Sequence, residues 1–302
     1  AAKKRLEADR AVIAAALGCK PDELYFTSCG TESDNWAIRL AAHQNRRVGK
    51  HIITTAVEHS AVLEPCRQLE QEGYTVTYLA PDRQGNITAQ QVADALREDT
   101  ALVSVMLVNN ETGCVFPVAE IARLLRERGS RALLHTDAVQ AFLKLPFRAD
   151  TLGADLISVS GHKLNAPKGV GALYIGPRCR AVRPLLAGGG QERGLRSGTE
   201  PMPAIAAFGA AAGEYAARYA AAGIPALRYG DPSAVCFIGA VQRLLEALGE
   251  TVGQDELFAL SGVGLCFPWR CGSCCDEVGI IPEIPARTLG AFGYESAYLT
   301  GE

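Results

Sequence analysis

ADLISVSGHKLNAPKGVGALYIG, residues 154–176, reads as a short β-type run, a turn of small and polar residues, and a second β-type run. The turn sets His162 and Lys163 side by side, with Ser160 just before them and Pro167, Gly169 and Gly171 soon after. A lysine in an exposed loop needs none of these neighbours. A lysine that must lose its proton and be aimed at a carbonyl carbon does need them, because desolvation and nearby dipoles disfavour its charged form. On this stretch alone both readings stand.

Outward from the turn the same texture recurs. ELYFT (23–27), HIITT (51–55), YTVTYLA (74–80), ALVSVML (101–107) and RALLHTD (131–137) join ADLISVS and GALYIG as strands. Between them TESDNWAIRLAAHQ (31–44), SAVLEPCRQLEQEG (60–73), TAQQVADALRED (88–99) and PVAEIARLLRERG (117–129) carry apolar residues at helical spacing. The opening run, residues 1–18, pairs charges with an apolar face and reads as a helix without a cleavable apolar region. Such alternation predicts an α/β fold: a mostly parallel seven-stranded sheet with helices on both faces. Ligands in such sheets gather at the carboxyl ends of the strands. The polar clusters TSCGTES (27–33), VNNETG (108–113), HTDAVQ (135–140) and SGHK (160–163) each follow a strand directly, so they converge on one edge.

Composition narrows the class. The chain has 302 residues, 48% hydrophobic, and a formal net charge of −3, a balance that fits a soluble globular protein and offers no basic run for nucleic acid. No apolar stretch reaches the ~18 residues of a membrane span. Of ten cysteines, five stand singly in the first 179 residues, while Cys236, Cys266, Cys271, Cys274 and Cys275 crowd a late segment. That distribution favours reduced thiols and a cytoplasmic setting over a disulfide framework. After the Ala-rich helical run 203–223 the alternation is lost, which divides the chain into a domain over 1–218 and a cysteine-rich segment over 219–302.

The clusters suit one chemistry. Asp137 ends an apolar strand, where a carboxylate keeps the ring nitrogen of a pyridoxal protonated, or simply caps a helix. Gln140 lies one helical step on, within reach of the ring's phenolic oxygen, and the Asn110 amide is a second group for that oxygen. In FTSCGTESDN (26–35) the amides around Gly30 and the Thr31 hydroxyl make a phosphate seat, or an ordinary cap. His59, in VEHSAV (57–62), is either a ring that stacks on an aromatic cofactor or a polar residue at a strand-to-helix junction.

With these motifs in the order phosphate turn, histidine, asparagine, Asp-x-x-Gln and Ser-x-His-Lys, the chain resembles the cysteine desulfurases of the NifS/IscS type, over about residues 1–218. The resemblance implies the large domain of the type I fold of pyridoxal-phosphate enzymes, in its class V aminotransferase form. It also implies pyridoxal 5′-phosphate as cofactor, L-cysteine as substrate, L-alanine and a persulfide as products, and a role in iron–sulfur cluster assembly. By the same resemblance Lys163 is the Schiff-base lysine, Asp137 pairs with the pyridinium and His59 stacks on the ring. Gly30, Thr31, Ser160 and His162 hold the phosphate, and Asn110 and Gln140 bind near the ring oxygen. Thr199, in the loop GGGQERGLRSGT (188–199), reaches the phosphate of the partner subunit in a homodimer, and a sulfur-acceptor or scaffold protein is implied as a further partner.

The resemblance stops at both ends. Nothing corresponds to the family's opening segment, and its small C-terminal domain is not recognisable, so activity is expected to be impaired. In CGSCC (271–275), Cys275 falls where the family carries its persulfide-forming cysteine. Other readings of the tail stay open. One is a thiol acyl-transferase or peptidase-like module with Cys236 as nucleophile, on a catalytically incompetent cofactor-binding or dimerising fragment or fusion. Another is a zinc site drawn from Cys266, Cys271, Cys274 and Cys275, for which a second separated pair is lacking, so no metal ligand is assigned. The last is a set of cysteines without function.

Overall fold

The computed structural model describes residues 2–222 apart from position 181, so the tail beyond 222, with Cys236, Cys266, Cys271, Cys274 and Cys275, lies outside the described residues. Seven strands form: β1 (Leu24–Thr27), β2 (His51–Thr55), β3 (Thr75–Leu79), β4 (Thr100–Ser104), β5 (Leu133–Asp137), β6 (Leu156–Ser160) and β7 (Gly171–Ile175). They make one sheet in the order β1-β7-β6-β5-β4-β2-β3, in which β7 runs antiparallel to both its neighbours and every other pairing is parallel. The helices are α1 (Ala2–Leu17), α2 (Gly30–Gln44), α3 (Ser60–Gln71), α4 (Ala89–Ala95), α5 (Val118–Glu127), α6 (Ala149–Leu152) and α7 (Met202–Ala222). The expected boundary at 218 falls within α7.

The strands are apolar on both faces because both are covered. On one side α2 and α3 pack Trp36, Ile38, Leu40 and Leu69 over Ile52, Leu102, Leu133, Leu156 and Leu173. On the other, α1, α5 and α7 lay Ile13, Leu17, Ile121, Ile205 and Phe208 on Ile53, Val103, Leu134, Ile157 and Ala172. Each such side chain contributes about 1.5–3 kcal/mol by leaving water, so these two seams supply most of the driving force.

Two elements end three or more residues earlier than the sequence predicts. The strand expected to run to Leu107 pairs as a strand only to Ser104. Beyond it, Val105 and Leu107 still donate to His135 and Asp137 of β5, but on the β2 side the neighbour is a side chain: the Glu58 carboxylate accepts the Met106 N–H at 2.9 Å. The helix expected over 88–99 stops at Ala95, since Leu96 is already extended (φ −70, ψ 130) on the approach to β4. Pro65 sits inside α3 and removes the N–H that would reach the Ala61 carbonyl. Asn35 Nδ2 on α2 donates to that carbonyl at 3.4 Å, so the missing bond becomes a tie between the two helices.

The polar face of α1 carries a surprise. Arg10 is buried, its two terminal nitrogens 2.6 and 2.7 Å from the Glu192 carboxylate, with a further bond to the Leu24 carbonyl. Glu192 also accepts from the Phe26 N–H at 2.8 Å. To deliver this carboxylate, Glu192 and Arg193 adopt left-handed backbone angles (φ 44 and 58), a conformation costly for residues with a Cβ.

Candidate active site

A cavity of about 360 Å³ opens at the carboxyl ends of the parallel strands, lined among others by Gly30, Thr31, His59, Asn110, Asp137, Gln140, His162 and Lys163. Eight of the ten predicted cofactor residues therefore meet in one space. Ser160 lies directly beneath it, buried, with its hydroxyl 2.8 Å from His162 Nδ1. Thr199 is exposed in the loop before α7 and does not line the cavity. A second cavity, of about 450 Å³, is lined by Ala15, Phe142, Leu145, Phe147 and Ala216 among others; apart from Arg148 it holds no ionisable side chain.

Each wall has a local cause. α2 points its N-terminus at the cavity, with Cys29, Gly30 and Thr31 in the lining and no hydrogen bond from the Cys29 side chain to cap it. Gly30 must be small: a Cβ there would sit 2.8 Å from Val139 Cγ2 on the next wall. Gly171 must be small for a different reason. Its Cβ would lie 2.8 Å from the Cys29 carbonyl carbon, so only glycine lets β7 run against the backbone of the turn before α2. Glu32, in the first turn of α2, takes both oxygens to Arg196 (2.7 and 2.9 Å) and also accepts from Ser28, which ties the 188–199 loop to this turn.

His59 caps α3, its Nδ1 accepting from the Ala61 N–H at 3.1 Å, which leaves Nε2 as the donor nitrogen of the ring. The VNNETG loop is fixed by Asn109, whose Oδ1 accepts from the Glu111 and Thr112 N–H groups and whose Nδ2 donates to the Val57 carbonyl, leaving Asn110 on the cavity side. Lys163 lies in a single turn of 3-10 helix, Gly161–Leu164, between β6 and β7. Burial lowers the pKa of His162, and Lys163, Lys168 and Lys144 act in the same direction, so this wall is cationic.

Asp137 ends β5 and is nearly fully buried; one oxygen accepts the Val139 N–H at 2.8 Å. Burial, with the charge of Asp34 adding to it, pushes its carboxyl up to about 7, against the opposing pull of Val139, His135 and His59. A buried acid held this way suits a cationic nitrogen as partner. Asp34 was not singled out from the sequence. It sits within α2 in the run TESDN, where it reads as an ordinary helical polar residue, yet it lines the cavity and burial pushes its carboxyl up to about 7 as well. Glu58 was missed too: it is buried, its Oε2 has no hydrogen-bond partner among the described residues, and burial raises it well above the usual range. Only its place next to His59 hinted at it.

The model of the aminotransferase class-V family matches residues 1–225. The chain belongs to that family. Among class-V relatives, a cysteine desulfurase of Nostoc sp. is 51% identical over 211 residues, 69% of this chain and 51% of that protein. The chain thus spans about half the length of such relatives. A solved structure of a NifS-like protein aligns with a TM-score of 0.70 and 40% identity, covering 73% of this chain and 60% of the other. Another, SspA in complex with cysteine, aligns with a TM-score of 0.66 and 34% identity over 87% of this chain and 76% of its own. The sheet described above thus belongs to the fold of the NifS-like structure.

Proposed function

We propose that this chain is the cofactor-binding part of a pyridoxal-phosphate-dependent cysteine desulfurase, which takes sulfur from L-cysteine as a persulfide and leaves L-alanine. The observation that carries this reading is one cavity holding a buried acid, Asp137, a lysine, Lys163, and the N-terminus of α2. The donor set fits the cofactor: an acid for the ring nitrogen, an amine for the aldehyde, and amides, hydroxyls and cationic groups for the phosphate.

When bound, pyridoxal phosphate supplies an aldehyde for amine exchange and a ring that accepts electron density. Asp137 would hold the proton on the ring nitrogen, and Asn110 and Gln140 would face the ring oxygen. Gly30, Thr31, Ser160 and His162 would hold the phosphate, with Thr199 of each subunit reaching across a homodimer. His59 would cover the ring and keep water from it. Lys163 Nζ would bind the cofactor and move protons to and from the substrate carbon. A cysteine thiolate, for which Cys275 is the candidate, attacks the substrate sulfur; the carbon–sulfur bond breaks, and a proton on that carbon completes alanine. A sulfur-acceptor or scaffold protein for iron–sulfur cluster assembly would then take the persulfide sulfur.

The test is spectroscopic. The full chain loaded with pyridoxal phosphate is expected to show the near-visible band of the lysine-bound cofactor and to release alanine from cysteine. Lys163→Ala should lose the band, and Cys275→Ser should keep the band but lose the persulfide. An unchanged band in Lys163→Ala would overturn the lysine assignment, and a band without alanine in the unaltered chain would overturn the activity.

A further inference from the structure

The wall that would seat a phosphate contains an anion of its own. Glu32 stands in the first turn of α2, one residue past Thr31, and its carboxylate turns back to accept the Ser28 N–H at 2.8 Å and the Ser28 hydroxyl at 2.5 Å. The Cys29 side chain gives the helix no cap, so Glu32 is the acid that fastens its start. Although burial pushes its carboxyl up, the bonds from Arg196 and Ser28 outweigh that and hold it below the usual carboxylate range, so it is charged at neutral pH. What steadies the turn therefore opposes an anionic ligand. A carboxylate favours a helix N-terminus for the same reason that a phosphate does, and two anions at one terminus repel.

Arg196 resolves the conflict. Its Nε and Nη2 donate to the two Glu32 oxygens at 2.7 and 2.9 Å, a two-pronged pair largely withdrawn from water, with 14% and 10% of the two side chains exposed. A fastened loop delivers the guanidinium: Ser197 Oγ donates to the Gly189 carbonyl at 3.0 Å, the Gly198 N–H donates to Gln191 Oε1 at 3.2 Å, and Glu192 of the same loop is held by Arg10. We propose that Arg196 is a positioning residue for the cofactor phosphate and acts through Glu32: it balances that carboxylate, so that the amides at the N-terminus of α2 receive a phosphate dianion beside a neutral pair and not beside a bare negative charge. The inference rests on the proposed cofactor chemistry. Neither Glu32 nor Arg196 lines the cavity, so both work from behind the turn that does.

The experiment compares pyridoxamine 5′-phosphate with pyridoxamine, which differ only in the phosphate and have no aldehyde to react with Lys163. Both are titrated into the full chain at neutral pH and followed by ligand fluorescence. The readout is the ratio of the two affinities, because a change in the shape of the ring site alters both ligands alike. In Arg196→Gln the ratio should fall about tenfold, since a bare carboxylate then faces the phosphate in a poorly screened site. In the double variant Glu32→Gln with Arg196→Gln, where neither charge remains, it should return to within about threefold of the unaltered chain. If Arg196→Gln fails to fold, Glu32→Gln carries the test alone. The glutamine still accepts the Ser28 N–H, the guanidinium is left unbalanced, and the ratio should rise several-fold; an unchanged or lower ratio would overturn the proposal. An unchanged ratio in Arg196→Gln would overturn it too, marking the pair as a tie between loop and helix only. So would a double variant that keeps most of the loss, because Arg196 would then act on the phosphate directly. No binding of pyridoxamine 5′-phosphate to the unaltered chain would instead sink the cofactor reading on which the proposal stands.

Discussion

The two faces of the sheet treat charge in opposite ways. Beneath α1 and α7 the strands offer mostly apolar side chains, Ile53, Val103, Leu134, Ile157 and Ala172, with the buried hydroxyls of Thr55 and Thr136 among them, and the buried cation nearby, Arg10, is met by both oxygens of Glu192. Beneath α2 the same strands begin apolar, with Ile52, Leu102, Leu133 and Leu156, then turn polar toward their carboxyl ends at Thr54, Ser104, His135, Asp137 and Ser158. There Asp34 Oδ1, Thr54 Oγ1 and Glu58 Oε2 lack partners among the described residues, against Thr136 Oγ1 alone on the first face. Unpaired buried polar groups cost stability, so the second face is held in a less favourable state than the first. The difference teaches where the molecule keeps its capacity to bind: the apolar face holds the fold, and the polar end of the other face waits for a ligand.

Breaking the paired side should have the largest effect. Arg10→Ala leaves Glu192 buried without its cation and is expected to cost about 3–5 kcal/mol in urea unfolding of the full chain. A loss below about 1 kcal/mol would mean that water reaches Glu192 and that the pair is not enclosed. Leu134→Ala, in the middle of the apolar face, should cost about 3 kcal/mol through lost burial and the cavity left behind, by the same measurement. A near-neutral result would show that this face is loosely packed.

At any one pH step the effect of an acid is smaller, and it sharpens the comparison through pH. Asp34 and Asp137 both have folded-state values raised from 3.8 to about 7. The folded, ligand-free chain therefore holds protons that the unfolded chain has lost, and the stability these acids contribute is present below about pH 4 and disappears as pH rises through about 7. Asp34→Asn should flatten the decline of unfolding free energy between about pH 4 and 7 by up to about 1.4 kcal/mol per pH unit. An identical slope in the variant would show that Asp34 is already ionised in the folded chain.

How much of this could be read from the sequence follows from the range of the signals. Every strand announced itself as a β-branched or apolar run, and the turn after it carried the polar cluster, so the sheet and the meeting of Lys163 with Asp137, His59 and Thr31 were legible from local pattern. Asp34 was not, because an acid in the second turn of a helix usually faces water; only the placement of α2 over β5 and β6 encloses it. Arg10 with Glu192 was hidden for another reason, since no local pattern links residues so far apart in the chain. The early end of β4 was illegible as well, because the partner beyond Ser104 is the Glu58 side chain and not a strand. Resemblance, and not spacing, supplied the role expected for Thr199.

Among the described residues β7 is the last strand, yet it lies between β1, the first, and β6, pairing Leu24 with Tyr174 and Leu156 with Ile175. As a nascent polypeptide emerges from the ribosome, β2 to β6 can assemble neighbour by neighbour, whereas β1 has nowhere to dock until Gly171–Ile175 has been synthesised. α2 packs on β4, β5 and β6 as well as β7, so its seat too is complete only then. The wall bearing Cys29, Gly30, Thr31 and Asp34 is thus the last to be seated, and a half-made chain has no complete pocket in which to capture a reactive aldehyde.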